Sequence, residues 1–436
     1  MRACVAEYSG GMGIVSDARK AYRLLNRAVA SRSATQRVRK RLEKHERGRF
    51  KIAVYFADTE VNMYQMRQWY RPLVKLAERW PVVVLSRASV GAEALVDDGV
   101  LPVAFVPKIR DLERYIAGQD IRIVLYVNQN TRNFQMFRYG RRWHVFINHG
   151  ESDKVYMVSN QFKSYDYALI AGQAARDRLS RTLWDYNVDR KTITIGRPQA
   201  DHHSSDLPYT PDERTVVLYA PTWEGDRASM SYGSVITHGE TLVRTLLSTG
   251  RHRVIYRPHP RSGIIYGAYG AANKRIIAAL AAANAADPSA QHVYDNGPEV
   301  GWQIAASDVA ILDISAMIYD RLATGKPLMV TRPADEQATI DSAGYLSDCE
   351  WLTADAAAGI DAEIERVRAD EVAIARLRMW SQHYFGDTTP GAATEKFHAA
   401  IEHLMAEWEK WHLREIGAAA PDEDDDDEEE KDDEEL

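Results

Sequence analysis

Cysteine is scarce in this chain. Cys4 and Cys349 are the two among 436 residues, and they show no paired spacing with each other or with histidine. That argues against a disulfide framework and a Cys-ligated zinc and leaves a reducing cytoplasm as the expected compartment. Long apolar runs are missing as well. Nowhere do about eighteen apolar residues stand together, and the opening Met1-Arg2-Ala3-Cys4-Val5 lacks an unbroken hydrophobic stretch, so neither a membrane span nor a secretory leader is expected. Gly10-Gly11-Met12-Gly13 has no strand before it and no Gly-Lys-Ser/Thr after it, so it is not read as a phosphate-binding loop. His202-His203 lacks the companions a zinc site needs, and no motif in the chain calls for a metal or a cofactor.

What is present is ample apolar residue and charge. Hydrophobic residues make up 45% and charged residues 27%, enough to bury two cores, and the length suits two domains. The formal net charge of -7 hides an asymmetry between a basic start and an acidic end. From Asp17 to Lys44 the chain reads as a helix with Tyr22, Leu25 and Val29 on one stripe, basic residues such as Arg37, Arg39, Lys40 and Arg41 around it, and a break at Ser31-Arg32-Ser33. Two readings stay open for it: an amphipathic segment lying on an anionic membrane surface, or a solvated helix packed on its own domain. Nucleic-acid binding is set aside. From Pro421 onward almost every residue is acidic, so this tail is expected to be disordered, and its Asp-x-Asp patterns reflect composition rather than a metal site.

Between these ends strand-like runs alternate with amphipathic helical ones, the pattern of mainly parallel sheets covered by helices. The first series comprises Ile52 to Phe56, Val82 to Leu85, Val103 to Val106, Ile121 to Val127, Val145 to Asn148, Ala168 to Ala171 and Thr192 to Ile195, with helical stretches such as Val61 to Trp80 and Ala174 to Tyr186. Prolines 198, 208 and 211 mark a linker. The second series runs Val216 to Tyr219, Val254 to Tyr256, Val293-Tyr294, Val309 to Leu312 and Leu328 to Val330. Beyond Pro333 the chain reads as helical, closing on a stripe of Ile401, Leu404, Met405, Trp408 and Trp411 expected to pack in a core. The expected divisions are a basic helical segment over 1–49, a Rossmann-like domain over 50–197, a linker over 198–214, a second Rossmann-like domain over 215–390, a helix over 391–420 and the tail over 421–436.

Several strand ends carry chemistry, and in open α/β sheets those ends face the ligand crevice. His149, in Asn148-His149-Gly150-Glu151-Ser152-Asp153-Lys154, follows the strand Trp143 to Ile147 and can remove a proton near neutral pH, while Gly150 permits close approach of a ligand. Tyr219-Ala220-Pro221-Thr222-Trp223 closes the first strand of the second series, so Thr222 and Trp223 are expected in the crevice. Arg257-Pro258-His259-Pro260 offers a guanidinium fork and an imidazole suited to phosphate oxygens. Asp313-Ile314-Ser315-Ala316 opens a helix that runs through Asp320, and a helix start with free amides favours an anion. Each has a plainer reading: a structural histidine, a buried turn, a surface turn, a helix cap. Their joint occurrence in one sheet pair favours a nucleoside-diphosphate donor.

Together the four segments resemble the CDP-glycerol glycerophosphotransferase family, the teichoic-acid polymerases and primases. Its members carry a His-Gly-Thr-Pro-Leu-Lys-like segment, a Tyr-Ala-Pro-Thr-aromatic strand end, an Arg-x-His turn, and Asp-x-Ser-Ser followed by apolar residues and Asp. The order and approximate spacing agree over roughly Phe50 to His412. The resemblance implies a GT-B fold, two facing Rossmann-like domains with the active site between them. It makes His149 the acceptor-side base, with Arg257, His259 and the Ser315 helix start holding the donor pyrophosphate and Thr222 and Trp223 lining the donor pocket; Gly150, Lys154, Asp313, Ala316 and Asp320 are further expected substrate-binding positions. The implied partners are a CDP-glycerol or CDP-ribitol donor, a lipid-linked glycan or polyol-phosphate acceptor and the inner face of the cell membrane. Two departures stand out: Glu151-Ser152-Asp153 replaces Thr-Pro-Leu, and Ala316 replaces the second serine. A GT-B glycosyltransferase or 2-epimerase acting on a nucleotide sugar, and a non-catalytic binding protein, are the other readings, since fold alone does not decide chemistry.

Overall fold

The computed structural model describes residues 29–151, 159–202, 206–297, 300–340 and 344–418. Among these residues the strands are β1 Ile52–Phe56, β2 Val82–Ser86, β3 Val103–Phe105, β4 Ile123–Tyr126, β5 Trp143–Phe146, β6 Tyr167–Ile170, β7 Thr192–Thr194, β8 Thr215–Ala220, β9 His252–Tyr256, β10 Val293–Tyr294, β11 Val309–Leu312, β12 Leu328–Thr331 and β13 Trp351–Leu352. The helices are α1 over 29–41, then α2 Met63–Arg67, α3 Tyr70–Ala77, α4 Ser89–Asp98, α5 Ile109–Ala117, α6 Gln173–Thr182, α7 Val188–Lys191, α8 Glu240–Ser248, α9 Gly267–Ala286, α10 Trp302–Ala306, α11 Ala316–Leu322, α12 Ile360–Ala369, α13 Glu371–Phe385 and α14 Ala392–Ala418.

Two all-parallel sheets result, ordered β3-β2-β1-β4-β5-β6-β7 and β10-β9-β8-β11-β12-β13. The strand order reverses between β1 and β4 in one and between β8 and β11 in the other, which is where doubly wound sheets leave a crevice. Strand alternation fills both faces: Ile52, Val54 and Phe56 enter one core of the first sheet, and Ala53, Tyr55 and Ala57 enter the other. The second sheet does the same, with Val217 and Tyr219 on one side and Leu218 and Ala220 on the other. This is the GT-B architecture expected from the sequence.

Four local expectations are revised. The stretch expected as one helix from Val61 to Trp80 is a 3-10 turn followed by α2 and α3, broken at Trp69, whose indole is buried and bonded to the Asn148 carbonyl. Helix α1 runs unbroken through Ser31-Arg32-Ser33, because Ser31 Oγ lies 2.9 Å from Ser89 Oγ and Ala34 and Val38 are buried. Arg37 and Arg41 pair with Glu93 and Asp97 of α4, so the described part of the basic helix is docked on its own domain, with Arg39 and Lys40 exposed. The region past Pro333 is not wholly helical, since β13 adds an edge strand beside β12.

The chain's last helices cross back. Gly172 and Gly196 sit where a side chain would collide: a Cβ on Gly172 would lie 2.3 Å from Tyr384 O, and one on Gly196, at φ +72, would lie 3.0 Å from Ala393 Cβ. Helix α14 then buries Phe397, Ile401, Leu404 and Met405 in a core of the first sheet. Trp408 lies under the Arg122 guanidinium at 4.3 Å, whereas Trp411, expected in the core, is 53% exposed.

Candidate functional site

At the end of β5 the backbone turns sharply through Asn148, at φ 55, a left-handed conformation that asparagine tolerates better than most residues. The Asn148 side chain holds the turn, accepting from His149 N at 2.9 Å and donating to Gly150 O at 2.5 Å. His149 is thereby swung toward the switch point, where its Nδ1 lies 3.1 Å from Val127 O. A carbonyl only accepts, so Nδ1 carries the hydrogen and in the neutral ring the lone pair resides on Nε2. Tyr64 meets the ring edge-on at 5.7 Å between centroids.

Beside His149 the ends of β1 and β4 are tied together. Asn128 Nδ2 donates to Asp58 Oδ2 and to Gln65 Oε1, each at 2.7 Å, and Asn62 Nδ2 reaches Asp58 Oδ1 at 3.0 Å. Neither Asp58 nor Asn128 was singled out from sequence. Both follow strands directly, the same signal that marks His149. Glu151 is buried and paired with Arg178 of α6, so the acidic group next to Gly150 is neutralised within its own domain. Lys154 lies outside the described residues.

The second sheet repeats the device. Asp313, at the end of β11, is fully buried and accepts from Thr222 N at 2.7 Å, Ser234 N at 3.0 Å and Thr331 Oγ1 at 2.5 Å. Burial raises its carboxyl from 3.8 to about 6, against the pull of those hydrogen bonds. Asp313 therefore clamps the ends of β8, β11 and β12 instead of presenting itself to a ligand. Thr222 is held from the other side too, since Tyr269 Oη donates to its carbonyl at 2.6 Å. Trp223 is half-buried, with the Arg261 guanidinium 3.8 Å over its ring.

The Arg-x-His turn divides. Arg257 is engaged by the Asp295 carboxylate and by Gly297 O at 3.0 Å, so its fork orders the loop after β10. His259 keeps the expected position: its Nδ1 accepts from Arg261 N at 3.1 Å, which places the ring hydrogen on Nε2 as a donor. Burial, then the Arg261 charge, lowers its basicity below the usual 6.5. Glu224, next to Trp223, accepts from Gly263 N, Ile265 N and Tyr266 N at 2.9, 2.8 and 3.1 Å, fixing the loop that follows.

Ser315 is the N-cap of α11 in extended conformation, and its hydroxyl makes no capping bond. The helix is only two turns long, so exposed Ala316, the terminal amides and the Ser315 hydroxyl matter more than a macrodipole. Asp320, expected at the substrate, is instead ion-paired with Arg197, a residue assigned from sequence to the border of the linker.

These positions bear on kinship. Residues 146–337, which carry every one of the motif positions, match the family described as CDP-Glycerol:Poly(glycerophosphate) glycerophosphotransferase. The match, over somewhat less than half of the chain, points to a transferase of the CDP-glycerol glycerophosphotransferase type. Its fold is similar to that of the wall teichoic acid polymerase TagF, with a TM-score of 0.54 at 12% identity over 91% of this chain and 98% of that one. A histidine-to-asparagine variant of TagF soaked with CDPG is similar at a TM-score of 0.53 and 12% identity, over 90% and 98% of the two chains. No curated protein matches the sequence. The resemblance read from the four motifs is thus upheld for family and fold.

Proposed function

We propose that this transferase moves glycerol phosphate, or ribitol phosphate, from its CDP ester onto a hydroxyl of a lipid-linked cell-wall or capsule precursor, working at the inner face of the cell membrane. The observation that carries this reading is His149, oriented by Val127 O so that Nε2 is its basic nitrogen, inside the segment that matches the family. The acceptor oxygen attacks the donor's β-phosphorus while Nε2 takes its proton. A new P–O bond forms, the bond from that phosphorus to the oxygen bridging to CMP breaks, and CMP departs with the electron pair. His259 Nε2–H, the Ser315 hydroxyl and the amides opening α11 meet the phosphate charge, and Thr222 and Trp223 flank the nucleoside. Support for CDP-glycerol over other donors comes from the family match and from the CDPG soak of TagF.

Incubating the protein with CDP-glycerol, CDP-ribitol and UDP-sugars, with a lipid-linked acceptor, and measuring nucleotide release tests the reading. CMP from a CDP-alditol is expected; release of UDP alone overturns it. Among the described residues no helix is long and apolar enough to cross a membrane. Surface attachment is therefore assigned to exposed basic residues such as Arg39 and Lys40, each contributing about 1 kcal/mol near an anionic bilayer. Changing both to Glu spares the Arg37 and Arg41 ion pairs and is expected to weaken cosedimentation with anionic vesicles at low salt. Unchanged binding would leave α1 a purely structural helix.

A further inference from the structure

Arg197 belongs to the first domain, just past β7, yet its guanidinium is paired with Asp320 on α11 of the second, and both side chains are largely buried, at 8% and 15% exposure. The same guanidinium lies beside the histidine loop. A Cβ placed on Gly150 would meet Arg197 Nη1 at 3.6 Å, an ordinary van der Waals separation, and both residues line one pocket. On the other side of that loop, Glu151 is fixed by Arg178. Asn148, Gly150, Glu151, Arg178 and Arg197 line one pocket, which Phe385 of the returning C-terminal helices helps to close. Another ion contact between these regions, His383 with Asp177 at 3.9 Å, is long and exposed.

We infer that Arg197 is a positioning residue that couples the two half-sites: through Asp320 it is held by the helix that Ser315 opens, and through Gly150 it sets the height of the loop that carries His149. The inference rests on the function proposed above. A planar fork can serve both neighbours at once, which the point charge of a lysine cannot. Since Asp320 lies in the helix that Ser315 opens, a shift of α11 moves Arg197 and with it the loop bearing the base. The register of base and phosphorus is then correct only while the pair is formed.

The test uses the full chain with Arg197→Lys, Asp320→Asn and the apolar pair Arg197→Met with Asp320→Leu. A buried ion pair replaced by apolar residues of similar volume commonly keeps a protein folded, so the double variant separates stability from positioning. The expected result is CDP-glycerol affinity within about threefold of the parent and kcat for CMP release lowered on the order of ten- to a hundredfold in all three, because a misplacement of about 1 Å is enough for such a loss. Amide exchange at Gly150 and Glu151 should accelerate in the same variants. A double variant with full turnover, or unchanged exchange at these amides, would overturn the inference, as would donor affinity that falls as far as kcat. If the parent neither binds CDP-glycerol nor releases CMP, the proposed function fails while the exchange measurement still decides the coupling.

Discussion

A carboxyl that ionises less readily in the folded chain than in the unfolded one stabilises the fold fully below its unfolded value, and that stability is lost as pH rises through the folded value. For Asp313 the window runs from about 3.8 to about 6, and burial is the leading cause. The shift corresponds to roughly 3 kcal/mol. Asp313→Asn keeps an acceptor for Thr222 N and Ser234 N and sheds the buried charge, so urea unfolding should show it matching the parent at pH 4 and equal or more stable at pH 7.5. Asp313→Ala should cost about 2 to 5 kcal/mol at either pH, since two buried amides lose their acceptor. A parent less stable at pH 4 than the Asn variant would contradict this account. His149 makes a sharper prediction. His149→Ala and His149→Gln should each lower turnover by roughly 10² to 10⁴ with donor affinity, read by calorimetry, nearly intact. Lost donor affinity would reassign the ring to the phosphate.

At the scale of elements, what could be read from sequence was whatever followed from local period and strand ends. Alternation located most strands of both sheets, and His149, Thr222, His259 and Ser315 do follow strand ends as expected. Pairing across the fold was not legible. Arg257 was expected at the phosphate and Asp320 at the substrate, whereas their ion-pair partners, Asp295 and Arg197, lie 38 and 123 positions away in a direction no local pattern encodes. Edge strand β13, only two residues long, was hidden in a run rich in helix formers. Glu224 shows the same limit. It anchors the loop bearing Ile264, Ile265 and Tyr266, residues 65%, 44% and 55% exposed, through three backbone amides. Burial would raise its carboxyl, yet the three amides outweigh that and leave it more acidic than usual. Glu224→Ala should free those amides, so hydrogen exchange at Gly263, Ile265 and Tyr266 is expected to accelerate at least tenfold, each carboxylate-amide bond being worth about 1.5 kcal/mol or more. Unchanged exchange would mean that the close contact of Gly263 with Gly270, not the carboxylate, holds the loop.

At the scale of the whole molecule, the order of domains along the chain differs from the order of cores. Helix α14 comes last, yet Phe397, Ile401 and Leu404 are fully buried against the first sheet, Trp143 Nε1 donates to Leu404 O at 3.0 Å, and Trp408 Nε1 donates to Arg141 O at 2.8 Å. Each of the three buried side chains contributes about 1.5 to 3 kcal/mol, a sum comparable with the roughly 5 to 15 kcal/mol that stabilises a whole domain. A chain ending at Gly391 should therefore lose the cooperative melting of its first domain, although the second sheet retains its own two cores. A chain ending at Ala418 should melt like the full-length protein, because the mostly acidic residues beyond it supply little apolar surface to bury. Phe397→Ala gives the graded version: a cost of about 3 to 5 kcal/mol, read as a lower first-domain transition by calorimetry while CDP-glycerol binding by the second domain survives. If the chain ending at Gly391 melted at the parent's temperature in a single transition, α14 would be an accessory to the first domain and not a part of its core.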